Sequence, residues 1–126
     1  MILVTAALIM KDHQILIAQR GLGGKQALKW EFPGGKLEMG ETPEECLRRE
    51  IREELGIEIQ VKGHFLDSVY EYEDGTIKLM AFSAEWLSGV LTPFVHQDLK
   101  WVSISELENY QFPPADLPIV TKLKKN

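Results

Sequence analysis

The sequence predicts an α/β (α+β) domain, a mixed β-sheet with α-helices packed on it. Three observations carry that prediction. Apolar, strand-like runs lie both before and after a helix. The helix, Pro43–Leu55, has explicit start and stop signals. A second helix follows the paired prolines Pro113 and Pro114 near the C-terminus. This order is that of a layered domain with one core. With 126 residues, 44% of them hydrophobic, a single domain spanning 1–126 is expected, and it has enough apolar material to bury a sizeable core.

Taken in order, Val4–Met10 and Gln14–Gln19 read as two strands joined by a tight turn at Lys11, Asp12 and His13. Arg20–Lys29 is polar and carries Gly21, Gly23 and Gly24, which predicts a mobile surface loop. Trp30–Leu37 contains the breaker cluster Pro33, Gly34, Gly35. After the helix, Ile57–Phe65 and Asp67–Tyr72 read as strands. Glu73, Asp74 and Gly75 turn the chain into Thr76–Leu87, giving an antiparallel pair. Leu99–Ser103 is a further strand and Ser105–Asn109 a short helix. The last helix is expected to be capped by Asp116 and to run to Lys124. No repeat or low-complexity tract interrupts this order.

Net charge is −5, from 19 acidic and 14 basic side chains. This argues against a nucleic-acid polymer or an anionic membrane as partner, and means that an anionic substrate needs local cations. The apolar start, Met1–Met10, has no basic leader and is cut short by Lys11 and Asp12, so it reads as a strand rather than a signal or span. One cysteine, Cys46, cannot form an internal disulfide, which fits a reducing cytoplasm; its place inside a helix favours packing over reactivity.

The helix Pro43–Leu55 begins with Thr42 as cap, proline at the first helical position and Glu45 three residues after the cap, and it ends at Gly56. At about 100° per residue, Leu47, Ile51 and Leu55 form an apolar stripe, with Glu45, Arg48, Arg49 and Arg52 on the far side. Between them Glu50, Glu53 and Glu54 are neighbours at i,i+3 and i,i+4 spacing and repel one another. Helix charges ordinarily make a solvated face. Three acids beside a buried stripe are better explained by a divalent cation, because hard cations favour carboxylate oxygens and relieve the repulsion. Pro33, Gly34 and Gly35 add a sharp turn through which backbone can approach a metal or a phosphate.

Gly35, five residues, Glu41, seven residues, then Arg49-Glu50-Ile51-Arg52-Glu53-Glu54-Leu55-Gly56-Ile57 matches the Nudix box at each defined position over 23 residues. Trp30–Thr42 (WEFPGGKLEMGET) and Phe112–Pro118 (FPPADLP) are similar to the MutT branch of that family, and the similarity covers nearly the whole chain. The resemblance implies the Nudix fold, a mixed sheet sandwiched between helices, and a Mg2+-dependent enzyme, with Mn2+ as alternative, that cuts a nucleoside triphosphate into monophosphate and pyrophosphate. It further implies Gly34 (through its carbonyl), Glu50, Glu53 and Glu54 as metal ligands, with Glu50 either ligating a further ion or holding the attacking water. Glu50, Glu53 and Arg49 become the catalytic set, Arg49 orienting the acids. Arg20, Gly35, Lys36, Phe32 and Asp116 fall on substrate-binding positions, Arg20 reading equally well as an ordinary surface arginine, while Glu41 reads as structural. A small nucleotide is the implied partner, and a monomer or homodimer the implied state.

The chain departs from the branch in one place. The loop before the Trp101 strand usually carries a further glutamate, and Val95 stands there, which leaves His96 or Asp98 as substitutes or Glu50 alone to manage the water. A loop histidine is more commonly a surface residue than a ligand. The base is also open. Asp116 lies where MutT-like enzymes contact the base, and aspartate there resembles both cytidine-type and some oxidised-purine enzymes, so 8-oxo-dGTP and CTP or modified pyrimidine nucleotides are both expected candidates. Trp30, Phe32, Phe82 and Leu117 are candidates for stacking on the base, although strand aromatics usually belong to a core. The remaining alternatives are another nucleoside diphosphate derivative (ADP-ribose, a dinucleoside polyphosphate) and a non-catalytic nucleotide-binding module. The second of these usually loses box acids, and this chain keeps them.

Overall fold

The computed structural model describes residues 1–126. Strands β1 (Ile2–Lys11) and β2 (Gln14–Gln19) form a hairpin whose turn places Asp12 and His13 at φ 52° and 64°, the left-handed conformation that a tight hairpin turn requires. A two-residue strand, β3 (Trp30–Glu31), pairs with the end of β2. Helix α1 (Pro43–Leu55) follows, then β4 (Ile57–Tyr72), β5 (Gly75–Gly89), β6 (Asp98–Val102) and helix α2 (Leu117–Lys125). Ile104–Asn109 and Pro114–Asp116 are 3-10 turns. No helix is long and apolar enough to cross a membrane.

The sheet is mixed. β1 pairs in parallel with β5, and β5 pairs antiparallel with β4. β2 pairs antiparallel with β1 near the turn, and with both β3 and β6. Alternation along the strands separates two apolar layers. Ala6, Leu8, Ile15, Ile17, Leu79 and Ala81 face Ile119, Val120 and Leu123 of α2. Ala7, Ile9, Leu16, Met80 and Phe82 face Leu47, Ile51 and Leu55 of α1. Helices therefore cover both faces, which is the sandwich expected from the sequence.

Two expected elements differ. The strands Ile57–Phe65 and Asp67–Tyr72 are one long strand, in which register shifts at Glu58/Ile59, Val61/Gly63 and His64/Leu66 let β4 bend without breaking. Asp116 does not cap α2. It ends a 3-10 turn in helical geometry (φ −82°, ψ −20°), whereas a capping residue needs extended backbone. Pro118 also removes a backbone N–H that such a cap would take.

Candidate active site

The site is built around α1. Thr42 Oγ1 accepts from the Glu45 N–H at 3.2 Å, and Glu45 Oε1 accepts from the Thr42 N–H at 2.8 Å, so the helix starts at a fixed residue. Gly56, at φ 71°, ends it with its N–H on the Arg52 carbonyl. Leu47, Ile51 and Leu55 are fully buried. With that stripe locked under the sheet, Glu50, Glu53 and Glu54 come to the edge of the buried face.

Arg49 does not extend away from these acids as its place on the helix suggests. Its guanidinium folds across the Pro33–Glu41 loop and binds Glu41 through Nε (2.6 Å) and Nη2 (3.0 Å), Glu50 through Nη1 (2.8 Å), Glu53 through Nη1 (3.3 Å) and the Lys36 carbonyl through Nη2 (3.1 Å). The planar fork of arginine suits this set of acceptors. The guanidinium holds the Glu41 carboxyl down at about 2, and Glu41 and Glu50 together raise the Arg49 pKa further. Glu41 also accepts from the Glu38 N–H at 2.9 Å, which makes it a strut of the loop.

That loop runs along β1. Thr5 N–H donates to the Gly35 carbonyl at 2.8 Å and Ala7 N–H to the Pro33 carbonyl at 2.7 Å, while the Gly34 carbonyl between them accepts no hydrogen bond. A Cβ at Gly34 would overlap the Thr5 carbonyl, and one at Gly35 would overlap the Glu50 carboxyl. Backbone thus demands glycine at Gly34, while at Gly35 glycine leaves the Glu50 carboxyl its place. Cys46 is buried beneath it, with Sγ bonded to Thr5 Oγ1 and the Gly35 and Lys36 carbonyls; burial raises its pKa, so it packs rather than reacts.

Glu54 is the exception among the acids. Its Oε1 is buried with no hydrogen-bond partner. Desolvation raises its pKa to about 7; His96 opposes the rise, and Glu50, Glu31 and Glu53 add to it. A buried, unpaired carboxyl oxygen with other acids around it fits a divalent cation, whose charge would satisfy the oxygen and favour its ionised form. Arg49 holds Glu50 and Glu53, and Glu53 is turned largely outward.

Beyond the acids, Glu31 of β3 accepts from Arg20 Nη1 at 2.8 Å and from His96 Nε2 at 2.9 Å. His96 is the residue that sequence reasoning undervalued. Its side chain is only 4% exposed, and its Nδ1 has no partner. Its partner lies 65 residues away in sequence, so no local pattern marks it. Asp98 turns to its own strand, accepting from the Leu99 N–H at 2.8 Å, and Val95 is exposed. Asp116 is buried, its carboxyl raised to about 8 by desolvation and by Glu31, with the Phe32 N–H and Arg20 acting in the other direction. Phe32, expected as a substrate contact, is 3% exposed, and its ring stacks on Phe112 in the core at 5.2 Å. Trp30 and Phe82 are buried as well, while Leu117 is half exposed and the Lys36 side chain lies in solvent.

The sheet sandwiched between helices thus gathers three glutamates and one arginine of α1 behind a glycine loop. The chain belongs to the Nudix family: the NUDIX domain model matches residues 2–123. It is 42% identical to the CTP pyrophosphohydrolase of Escherichia coli (strain K12) over 120 residues, 95% of this chain and 89% of that protein. It is 39% identical to the 8-oxo-dGTP diphosphatase of the same organism over 115 residues, 91% of this chain and 89% of that protein. The solution structure of the E. coli ORF135 protein superposes with a TM-score of 0.86 at 38% identity, covering 98% of this chain and 89% of that one. The protein is thus a Nudix hydrolase, and hydrolases of this family work with a divalent metal ion.

Proposed function

We propose that the protein is a MutT-like pyrophosphohydrolase that uses Mg2+ to convert a (deoxy)nucleoside triphosphate to its monophosphate and pyrophosphate. The observation that carries this reading is the buried, unpartnered carboxylate of Glu54 beside Glu50 and Glu53, on a helix positioned by the glycine loop. The similarity to two enzymes that act on nucleoside triphosphates supports it.

Glu53 and Glu54, with the Gly34 carbonyl, would hold the metal, and Glu50 would hold a further ion or the attacking water. When bound, the cation neutralises charge on the phosphates and on departing pyrophosphate. The residues of the chain supply the rest. Arg49 orients Glu50 and Glu53 through the bonds described above. Gly35 lets the loop lie against the Glu50 carboxyl, and Gly35 and Lys36 line the approach of the phosphates. Arg20 is the local cation that an acidic protein needs for an anionic substrate, and it reaches phosphate by exchanging Glu31 for it.

Asp116 reads the base. With its pKa at about 8, it is protonated at neutral pH and presents an O–H donor together with an acceptor. That pair of groups suits a base edge with adjacent acceptor and donor atoms, and it admits both substrate types named for the relatives: 8-oxo-dGTP, and CTP or a modified pyrimidine nucleotide. The test is a nucleotide panel with Mg2+ in which pyrophosphate and orthophosphate are followed separately. Pyrophosphate as the first product is expected, and orthophosphate as the first product rejects the reading. Asp116→Asn in the same panel is expected to reorder base preference, and an unchanged order removes Asp116 from base recognition.

A further inference from the structure

The loop from Thr92 to Gln97 is stapled to the metal-site helix. Thr92 N–H donates to the Leu55 carbonyl at 2.9 Å and Phe94 N–H to the Glu54 carbonyl at 3.1 Å, while Gln97 N–H donates to the Gln19 carbonyl of β2 at 2.9 Å. His96 lies between these anchors, its ring buried and its Nε2 bonded to Glu31 at 2.9 Å. A carboxylate is acceptor-only, so Nε2 carries the proton and the lone pair of the neutral ring lies on Nδ1. That Nδ1 is buried and has no partner, and neither has Glu54 Oε1. Buried polar atoms are almost always satisfied, and two orphans, one on α1 and one on the loop bonded to it through Phe94, call for a guest. His96 follows two residues after Phe94, whose N–H is bonded to the Glu54 carbonyl.

We propose that His96 is a nitrogen ligand of the divalent cation through Nδ1, next to Glu54, with Glu31 as the carboxylate that orients the ring. The inference rests on the reading of the α1 acids as a divalent-cation site. A metal-binding histidine characteristically donates its other ring N–H to a carboxylate, and Glu31–His96 has that half of the arrangement in place. Imidazole nitrogen is accepted more readily by Mn2+ than by Mg2+, so Mn2+ is the natural probe.

The experiment is pulsed electron paramagnetic resonance of the full chain with Mn2+ alone, together with a Mn2+ binding titration. The wild type is expected to show coupling from a directly bonded 14N nucleus. His96→Ala and His96→Gln are expected to lose it and to bind Mn2+ about tenfold to a hundredfold more weakly, with Glu31→Ala weakening binding in the same direction. Tight Mn2+ binding without nitrogen coupling in the wild type overturns the proposal while leaving the carboxylate site intact. Binding unchanged by Glu53→Gln and Glu54→Gln overturns both the cation site and this inference. Because the wild-type spectrum alone decides whether nitrogen is bonded, the test survives a variant that fails to fold.

Discussion

Arg49 grips Glu41 with two bonds, Nε to Oε2 at 2.6 Å and Nη2 to Oε1 at 3.0 Å, and this grip sets where the same guanidinium meets Glu50 and Glu53. Glu41 touches none of the chemistry itself. Glu41→Gln should therefore lower kcat by about tenfold to a hundredfold, as loss of an outer partner of a metal site typically does. KM should change less and the circular dichroism spectrum should be retained. Arg49→Lys should not preserve activity, since an ammonium cannot reproduce the fork that spans Glu41, Glu50 and the Lys36 carbonyl. A kcat unchanged in Glu41→Gln would mean that the strut does not position the acids.

The two loop glycines should fail differently. An added methyl at Gly34 meets the backbone carbonyl of Thr5, which cannot move without distorting β1, so Gly34→Ala should cost about 2 kcal/mol of stability. At Gly35 the obstacle is the end of the Glu50 side chain, which can swing aside. Gly35→Ala should thus reduce activity with a small change in melting temperature. Thermal melts and kcat measured on both variants check the contrast, and equal loss of stability in the two would contradict it.

Asp116 makes the fold pH-dependent. Its carboxyl titrates at about 8 in the native state, far above the usual aspartate value of roughly 3.9 in an unfolded chain. Across that interval the native state holds a proton that the unfolded state has released, so stability falls as pH rises from about 4 to 8. Asparagine has nothing to ionise. The melting temperature of Asp116→Asn relative to wild type should therefore rise with pH over this range and level off above it. A difference independent of pH would show that Asp116 is not held protonated.

Thr42→Ala removes the side-chain acceptor from the Glu45 N–H at the start of α1 and should cost about 1 kcal/mol, measured by denaturant unfolding. Because the cap lies outside the acid cluster, the variant should keep its metal affinity.

Much of this was legible in the sequence because short-range rules generate it. The cap at Thr42, the buried stripe of Leu47, Ile51 and Leu55 and the stop at Gly56 follow from spacing along one helix, and the structure has each of them. Spacing fixes where a Cβ points, and a long side chain can still turn back. Arg49 therefore falls on the far side by helical spacing while its guanidinium lies among the acids, a place that only the family resemblance implies. His96 was undervalued for a different reason. Its burial depends on Glu31 and on backbone bonds to α1 and β2, which are made only when the chain closes. Asp116 carries a residue type suited to capping, but the 3-10 turn at Pro114–Asp116 and the proline at 118 decide its backbone and free its carboxyl for burial. The continuity of β4 was hidden by its irregular register, which breaks the alternation that marks a strand.

The most direct test of the central claim is pyrophosphate release from CTP and 8-oxo-dGTP, with and without Mg2+, by the wild type and by Glu53→Gln. The account predicts Mg2+-dependent release with pyrophosphate as the first product. It also predicts a fall of about a thousandfold in Glu53→Gln with the fold retained, as expected when several kcal/mol of metal-borne stabilisation is lost. Pyrophosphate release undiminished in Glu53→Gln, or equally fast without a divalent cation, would contradict it.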